Sequence, residues 1–300
     1  MNKNKLKLSR YWDLGFQILG LFTLLMAFFV LGALLINMFW EGLPRISWDF
    51  LTNFPSRIAS RAGILSAWVG SILVMMVTAF ISVPLGVGAG VYLEEYAPKN
   101  KLTAIIEISI SNLAGVPSIV FGLMALGLFV GKMGLGQSII TAGLTLSLLI
   151  LPIIIVTTRQ SIRAIPVSVR EAAYALGATK WEMVKDHVVP AARGGILTGM
   201  IIALSRAIGE TAPLITIGAL TYIAFLPTSP FSMEAPFINF DWLSDPFSVL
   251  PIQMFNWVSR PQEEFHQNAS AAGVILVILT LTMNLGAIIL RNHYRKKIKW

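Results

Sequence analysis

Six apolar stretches, each long enough to cross a lipid bilayer, constrain this 300-residue chain more than any other feature. A spanning helix needs about 20 mostly apolar residues. Residues 14–39, 62–93, 108–130, 134–158 and 269–290 carry no charged side chain, and 194–225 carries only Arg206 and Glu210. Charged residues are 13% of the chain and hydrophobic ones 55%, so a soluble fold would lack the polar surface to cover its interior. The expected class is an all-α integral membrane protein with six transmembrane helices. Stretches 62–93 and 194–225 exceed one straight span and are expected to tilt or to extend past the lipid. Each contains a proline, Pro84 or Pro213, which membrane helices tolerate when neighbours satisfy the freed carbonyl. The first stretch is longer than the apolar core of a signal peptide, about 7–15 residues, and is expected to remain a membrane helix.

The chain has no cysteine and three scattered histidines. Disulfide frameworks, thiolate metal sites and cysteine nucleophiles are excluded, and a histidine metal cluster is not expected. The net charge of +8 could suggest nucleic acid. The basic residues, however, alternate with the spans. The N-terminal tail (Lys3, Lys5, Lys7, Arg10), the second loop (Lys99, Lys101), the fourth loop (Arg159, Arg163, Arg170, Lys180, Lys185, Arg193) and the C-terminal tail (Arg291, Arg295, Lys296, Lys297, Lys299) hold seventeen. The first, third and fifth loops hold five: Arg45, Arg57, Arg61, Lys132 and Arg260. Positive residues concentrate on the cytoplasmic side. Both termini are therefore expected in the cytoplasm, and a nucleic-acid partner is not expected.

The fourth loop, 159–193, reads as two short helices. Pro166 suits a first helical turn. Residues 168–176 are rich in Ala, Glu and Leu, and Gly177 can supply a left-handed cap. Thr179 and Glu182 form a T-x-x-E capping box, and Pro190 is expected to stop the second helix. The spacing Glu171-Ala172-Ala173, three residues, Gly177, then Pro190 resembles the EAA loop of the membrane subunits of bacterial ABC importers. That pattern ends in Ile-x-Leu-Pro; here His187-Val188-Val189-Pro190 keeps only the proline. The resemblance implies that Glu171, Ala172, Ala173, Gly177 and Pro190 form the contact with a cytoplasmic ATPase. The alternative is an amphipathic helix lying on lipid head groups.

Arg206 lies 12 residues past Gly194, about 18 Å along a helix and near mid-membrane. Glu210 follows at i+4, expected on the same face one turn higher. An intramembrane charge is expensive and marks a functional site by default. Arginine suits oxyanions through its fork of donors, so one reading is a site where Arg206 contacts an anion and Glu210 restrains it. The other is a self-neutralising pair that fixes helix packing. Ser205 and Thr211 are candidate neutral donors, or hydroxyls bonded back to the i−4 carbonyl.

Residues 204–214 (LSRAIGETAPL) and 113–123 (LAGVPSIVFGL) resemble the signatures of phosphate ABC importer permeases. The phrases at 250–257 and 287–291, and the short tail before the first span, resemble the PstA-type subunit of that family. The resemblance runs from about Tyr11 to the end. It implies a five-helix MetI-like ABC importer permease core at 62–300, preceded by an accessory region at 1–61, with the coupling loop at 159–193 and an external loop at 226–268. It also implies a homologous second permease subunit, a dimeric cytoplasmic ATPase, an extracytoplasmic phosphate-binding protein and the bacterial plasma membrane. Arg206 and Glu210 would serve phosphate passage. No G-x-x-x-x-G-K-[ST] is present, so ATP would be used by the partner and no cofactor by this chain; no covalent chemistry is expected of it. Another oxyanion, molybdate or sulfate, stays open at this point. A secondary transporter would show internal repeats, and none is visible.

Lesser features carry weaker expectations. Glu107 is expected at the water interface of the third span. Gly86/Gly90, Gly127/Gly131 and Gly195/Gly199/Ala203 read as helix-packing grooves. The fifth loop is aromatic and acidic (Glu234, Asp241, Asp245, Glu263, Glu264), with 247–258 read as an amphipathic helix on the outer membrane surface or a partner-docking element. Asn268-Ala269-Ser270 matches a glycosylation sequon without other support.

Overall fold

The structure is a computed structural model that describes residues 3–230 and 237–295; Glu234, Lys296, Lys297 and Lys299 lie outside the described residues. Helix α1 (Lys3–Gly42) leads by a 3-10 turn to α2 (Trp48–Thr52). Helix α3 (Leu65–Val91) runs on through a π turn, Tyr92–Tyr96. Then come α4 (Lys101–Leu113), α5 (Ser118–Ala125) with a π extension over Leu126–Lys132, and α6 (Ile139–Arg163). Helix α7 (Val167–Ala175) precedes α8 (Lys180–Glu182), which passes by the π turn Met183–Val188 into α9 (Val189–Ile208). The short α10 (Ala212–Thr216), then α11 (Leu250–Val258) and α12 (Glu263–Arg295) complete the order. Among the described residues five helices are long and apolar enough to cross a membrane, and a sixth apolar stretch, α4 with the extended α5, is bent by 105° at its break.

The centre is α6, packed between α3 and α9. Small residues set the distance of approach. A side chain at Gly86 or Gly90 of α3 would strike Ile154 or Thr158 of α6, and one at Gly195 or Gly199 of α9 would strike Ser161 or Thr157. Gly127 and Gly131 meet no neighbouring element, so that pair is not a groove. They lie in a π stretch, where i and i+4 do not align on one face. Hydroxyls inside the bundle bond back along their own helices: Thr78 to the Val74 carbonyl, Ser82 to Thr78, Thr145 to Thr141 and Ser147 to Gly143, at 2.6–2.8 Å. Such polar side chains thus cost little in an apolar interior.

Two expected spans are broken, and for the same reason. A proline has no N–H, and its ring presses on the carbonyl four residues back. Helix α4 ends at Leu113, four before Pro117, and α9 gives way at Gly209, four before Pro213. Pro84 and Pro152 instead sit inside continuous α3 and α6, the pair with the most extensive packing. Stretch 108–130 therefore straddles a sharp bend, and 194–225 is one helix followed by α10 and irregular chain. Pro190 does not stop a helix. Its i−4 carbonyl, at Asp186, falls in the π turn, whose wider ring makes room for it, and the helix runs on from Lys180 to Ile208.

At the α11 end, the fifth loop is part of the core. Leu250, Pro251, Ile252, Gln253 and Trp257 of α11 are buried, so one face of this helix packs into the protein while Phe255 and Val258 stay exposed. Trp257 stacks obliquely against Phe50 and Phe265 at 6.1 and 6.4 Å. Gln253, with its amide oriented to satisfy both partners, donates to the Thr221 carbonyl and accepts from Trp257 Nε1, each at 3.0 Å. Arg45 donates to Asn268 Oδ1 at 2.6 Å and to the carbonyls of Ala59, Ser60 and Ala62 at 2.9–3.0 Å. Asn268 is fully buried, so the sequon is no acceptor for a glycan. Helix α1 stands apart: the apolar window of its span is unburied, and it touches α12 through its last turns, at Met38, Glu41 and Gly42. An apolar helix exposed all round suits lipid.

Candidate functional site

The short helices that follow the two breaks, α5 and α10, pack against each other. Gly122 of α5 lies directly against Thr216 and Pro213 of α10, leaving no space for a side chain. The stretch 113–123 covers the first break and α5; 204–214 covers the second break and α10. Unwound backbone inside a membrane protein occurs where it is buried in protein or lines a polar path. Broken helices are the usual material of transport sites.

Arg206 sits in the last turn of α9, and Glu210 lies just beyond the end of that helix rather than on its next turn. The Glu210 N–H still reaches the Ala207 carbonyl at 3.2 Å, which keeps the carboxylate beside the helix end. Arg206 Nε donates to Glu210 Oε1 at 3.3 Å, with side-chain exposures of 41% and 17%. Neither Nη group of Arg206 has a partner among the described residues. The pair therefore joins two points of one segment and ties no second helix. That geometry disfavours a packing role and leaves four N–H donors free for an acceptor. An exposed pair of this kind contributes no more than about 1 kcal/mol to stability.

The two hydroxyls divide. Ser205 Oγ is 2.6 Å from both the Ile201 carbonyl and Asn284 Oδ1 of α12. Its single proton serves one acceptor at a time, so it ties α9 to α12 and is occupied. Thr211 makes no side-chain hydrogen bond among the described residues and caps nothing at α10. Of the four residues picked from sequence, Arg206, Glu210 and Thr211 cluster at the break, and Ser205 faces a neighbouring helix.

The second candidate region is α7. Gly177 has φ +82° and closes a Schellman cap: its N–H meets the Tyr174 carbonyl at 2.9 Å, and the Ala178 N–H meets Ala173 at 3.1 Å. The capping box is complete, with Thr179 N–H on Glu182 Oε2 at 2.8 Å and Glu182 N–H on Thr179 Oγ1 at 3.3 Å. Glu171, Ala172 and Gly177 are exposed. Ala173 is buried against Ile162, Met183, Val184 and Val188, so it acts by letting α7 seat closely rather than by outside contact. Beside the exposed residues, Leu176 is 87% exposed and Trp181 64%. The second helix expected in this loop is the start of the long helix that becomes α9.

The sequence reading missed a third feature. Arg159 Nη2 pairs with Glu107 at 2.6 Å, so Glu107 is held by an ion pair between α4 and α6. Arg163 grips Glu94 through Nε and Nη2 at 3.0 and 2.9 Å, and Arg170 grips Glu95. These partners stand 52–75 residues apart, beyond the reach of any local pattern.

Residues 82–300 match the family described as binding-protein-dependent transport system inner membrane component. The chain is 35% identical to a probable ABC transporter permease protein, YqgI, of Bacillus subtilis, over 93% of this chain and 95% of the relative. It is 34% identical to the phosphate transport system permease protein PstA of Yersinia pestis, over 93% and 89%, and 32% to PstA of Xylella fastidiosa, over 84% and 83%. In fold it is similar to a chain of the MetNI methionine ABC transporter in inward-facing form, with TM-score 0.57 and 18% identity over 75% of this chain and 94% of that one. A bacterial ABC transporter that imports alginate matches with TM-score 0.63 and 13% identity, over 97% and 99%.

Proposed function

The chain belongs to the binding-protein-dependent transport system inner membrane component family, and from that premise we propose that it is one of two permease subunits of an ATP-driven importer carrying inorganic phosphate into a bacterial cell. The observation that carries this reading is Arg206, a guanidinium in the last turn of α9, at the break before Pro213, with neither Nη group engaged among the described residues. A planar fork of donors in a low-dielectric path suits a tetrahedral oxyanion. The relatives named as phosphate permeases favour phosphate among the oxyanions.

The partners are a homologous sister permease completing the pore, a dimeric ATPase and an extracytoplasmic phosphate-binding protein. Residues 62–300 form the importer core. The exposed Leu176 and Trp181 beside Glu171, Ala172 and Gly177 give the ATPase an apolar surface of the kind that marks a protein contact. ATP closes the ATPase dimer, α7 moves with it and the pore turns outward; phosphate released from the binding protein reaches Arg206, and hydrolysis resets the pore. This subunit lends the path and the coupling surface, and ATP is bound and cleaved elsewhere.

The seventeen basic residues counted on one side of the spans support a cytoplasmic position for both termini and α7. A single cysteine at Thr179, in this cysteine-free chain, is expected to resist impermeant thiol reagents in intact cells and to react after permeabilisation. Labelling in intact cells would reverse the orientation. For substrate, vesicles holding the assembled transporter with ATP inside are expected to take up phosphate only with binding protein outside. Excess sulfate or molybdate should leave that uptake unchanged. Strong competition by either would move the assignment to that oxyanion.

A further inference from the structure

Three consecutive residues at the end of α3, in the π turn Tyr92–Tyr96, hold three other elements, α6, α7 and α8. Glu94 receives the bidentate Arg163 of α6 and lies 3.5 Å from Arg159 Nε. Glu95 Oε1 accepts from Arg170 Nε and Nη2, at 3.1 and 2.7 Å. The Tyr96 ring lies 4.9 Å from Lys180 Nζ at the start of α8. Arg159 in turn holds Glu107 of α4. A π turn often marks a functional position in a helix.

Arg170 does more than pair. Its Nη1 donates to the Ile165 carbonyl at 2.9 Å and its Nη2 to Ile162 at 3.1 Å. Carbonyls at a helix end have no partner within the helix. One guanidinium on α7 thus caps the end of α6 and grips the end of α3. Its sequence neighbour Glu171 is exposed on the outer side of the same helix. The Glu95–Arg170 pair is largely buried, at 7% and 19% exposed, as are Arg159 and Glu94 at 11% and 14%, while Arg163 and Glu107 reach solvent at 67% and 33%. Burying charges to this extent stabilises less than apolar packing would, which makes stability alone a poor reason for them. The three arginines match Glu94, Glu95 and Glu107 one for one.

We propose that Glu95 and Arg170 are positioning residues for transport: they lock α7 to the ends of α3 and α6, so that a push on α7 moves these two membrane helices as one body. The inference rests on the reading that α7 meets an ATPase. A looser α7 would tilt in its seat and pass on less of the stroke.

The test uses the assembled transporter, purified with its ATPase, and spin labels at Tyr92→Cys and Ser168→Cys, two exposed positions at the ends of α3 and α7. The distance between labels is expected to hold within about 1 Å, below the usual helix shifts of switching proteins, between ATP-free and ATP-trapped states. In Glu95→Gln, which keeps the shape and removes the charge, the distance becomes dependent on ATP. Phosphate imported per ATP then falls on the order of tenfold, the worth of one charge-assisted contact. Arg170→Lys keeps the charge but cannot span Glu95 and both carbonyls, and is expected to fall between. The KM for phosphate should not move in either variant. A label distance that changes in the unmodified junction overturns the proposal, as does a wild-type transport-to-ATP ratio in Glu95→Gln. ATPase retention is scored separately: a complex that never holds an ATPase refutes the docking reading instead.

Discussion

Phosphate uptake by a transporter carrying Arg206→Ala is expected to fall about 100-fold or more, with assembly intact. The two Nη groups of Arg206 have no partner among the described residues. A hydrogen bond to a charged group is worth about 1.5–3 kcal/mol, and two such bonds correspond to two or more decades of rate or affinity. Assembly should survive, because the ion pair with Glu210 joins neighbours in one segment and Arg206 is 41% exposed. Arg206→Lys keeps the charge without the planar fork and should restore uptake only in part. Glu210→Gln should be milder than Arg206→Ala, because the cation remains. The decisive variant is Arg206→Leu/Glu210→Leu. A structural ion pair can often be replaced by apolar residues of similar size without loss. If the pair merely held the break, this double variant would transport normally. It is expected to reach the membrane with its partners and to import no phosphate; wild-type uptake would remove Arg206 from the path.

The charges of this site were legible because an apolar stretch contrasts with them, and the spans because bilayer thickness sets a minimum length. The direction of the backbone was not legible in the same way. Hydropathy counts apolar residues and is blind to bends, so 108–130 and 194–225 read as continuous although α4–α5 turns by 105° and α9 ends at Ile208. The signal was present as Pro117 and Pro213, but Pro84 and Pro152 carry the same chemistry in unbroken helices. What separates them is how firmly the neighbouring helix packs, and that is a tertiary fact. Pro190 shows the converse, its cost absorbed by a π turn that no propensity marks. The Glu94–Glu95 junction was invisible for another reason: Arg163 and Arg170 were counted only toward orientation and the two glutamates carried no local signal, because each partner lay 69 or 75 residues away. The α7 turn, by contrast, followed local rules throughout, from Gly177 to the capping box, and was read almost to the residue.

That local determinism makes Gly177→Val the second large effect. At φ +82° a residue with a Cβ is strained whatever the space, and nothing lies within 4 Å of where that Cβ would be. The penalty is therefore confined to the backbone. It amounts to roughly 1–2 kcal/mol for an ordinary side chain, and a β-branched one is a rarer visitor still to this region. The turn can relieve the strain by giving up the bonds from the Gly177 and Ala178 amides to Tyr174 and Ala173. Leu176 and Trp181, exposed on either side, would then change their relative placement, while the helices above, packed through α3, α6 and α9, stay as they are. The variant is expected in the membrane at normal levels, with ATPase co-purification and transport each down about tenfold, the scale of 1.4 kcal/mol. Gly177→Asn separates backbone strain from loss of a small surface residue, because asparagine enters the left-handed region at less cost than other side chains. It should retain most of the activity. If Gly177→Val binds the ATPase and transports as the unmodified chain does, the α7 turn is not the coupling contact; if Asn and Val fail alike, the ATPase is sensing side-chain bulk at this position rather than the shape of the turn.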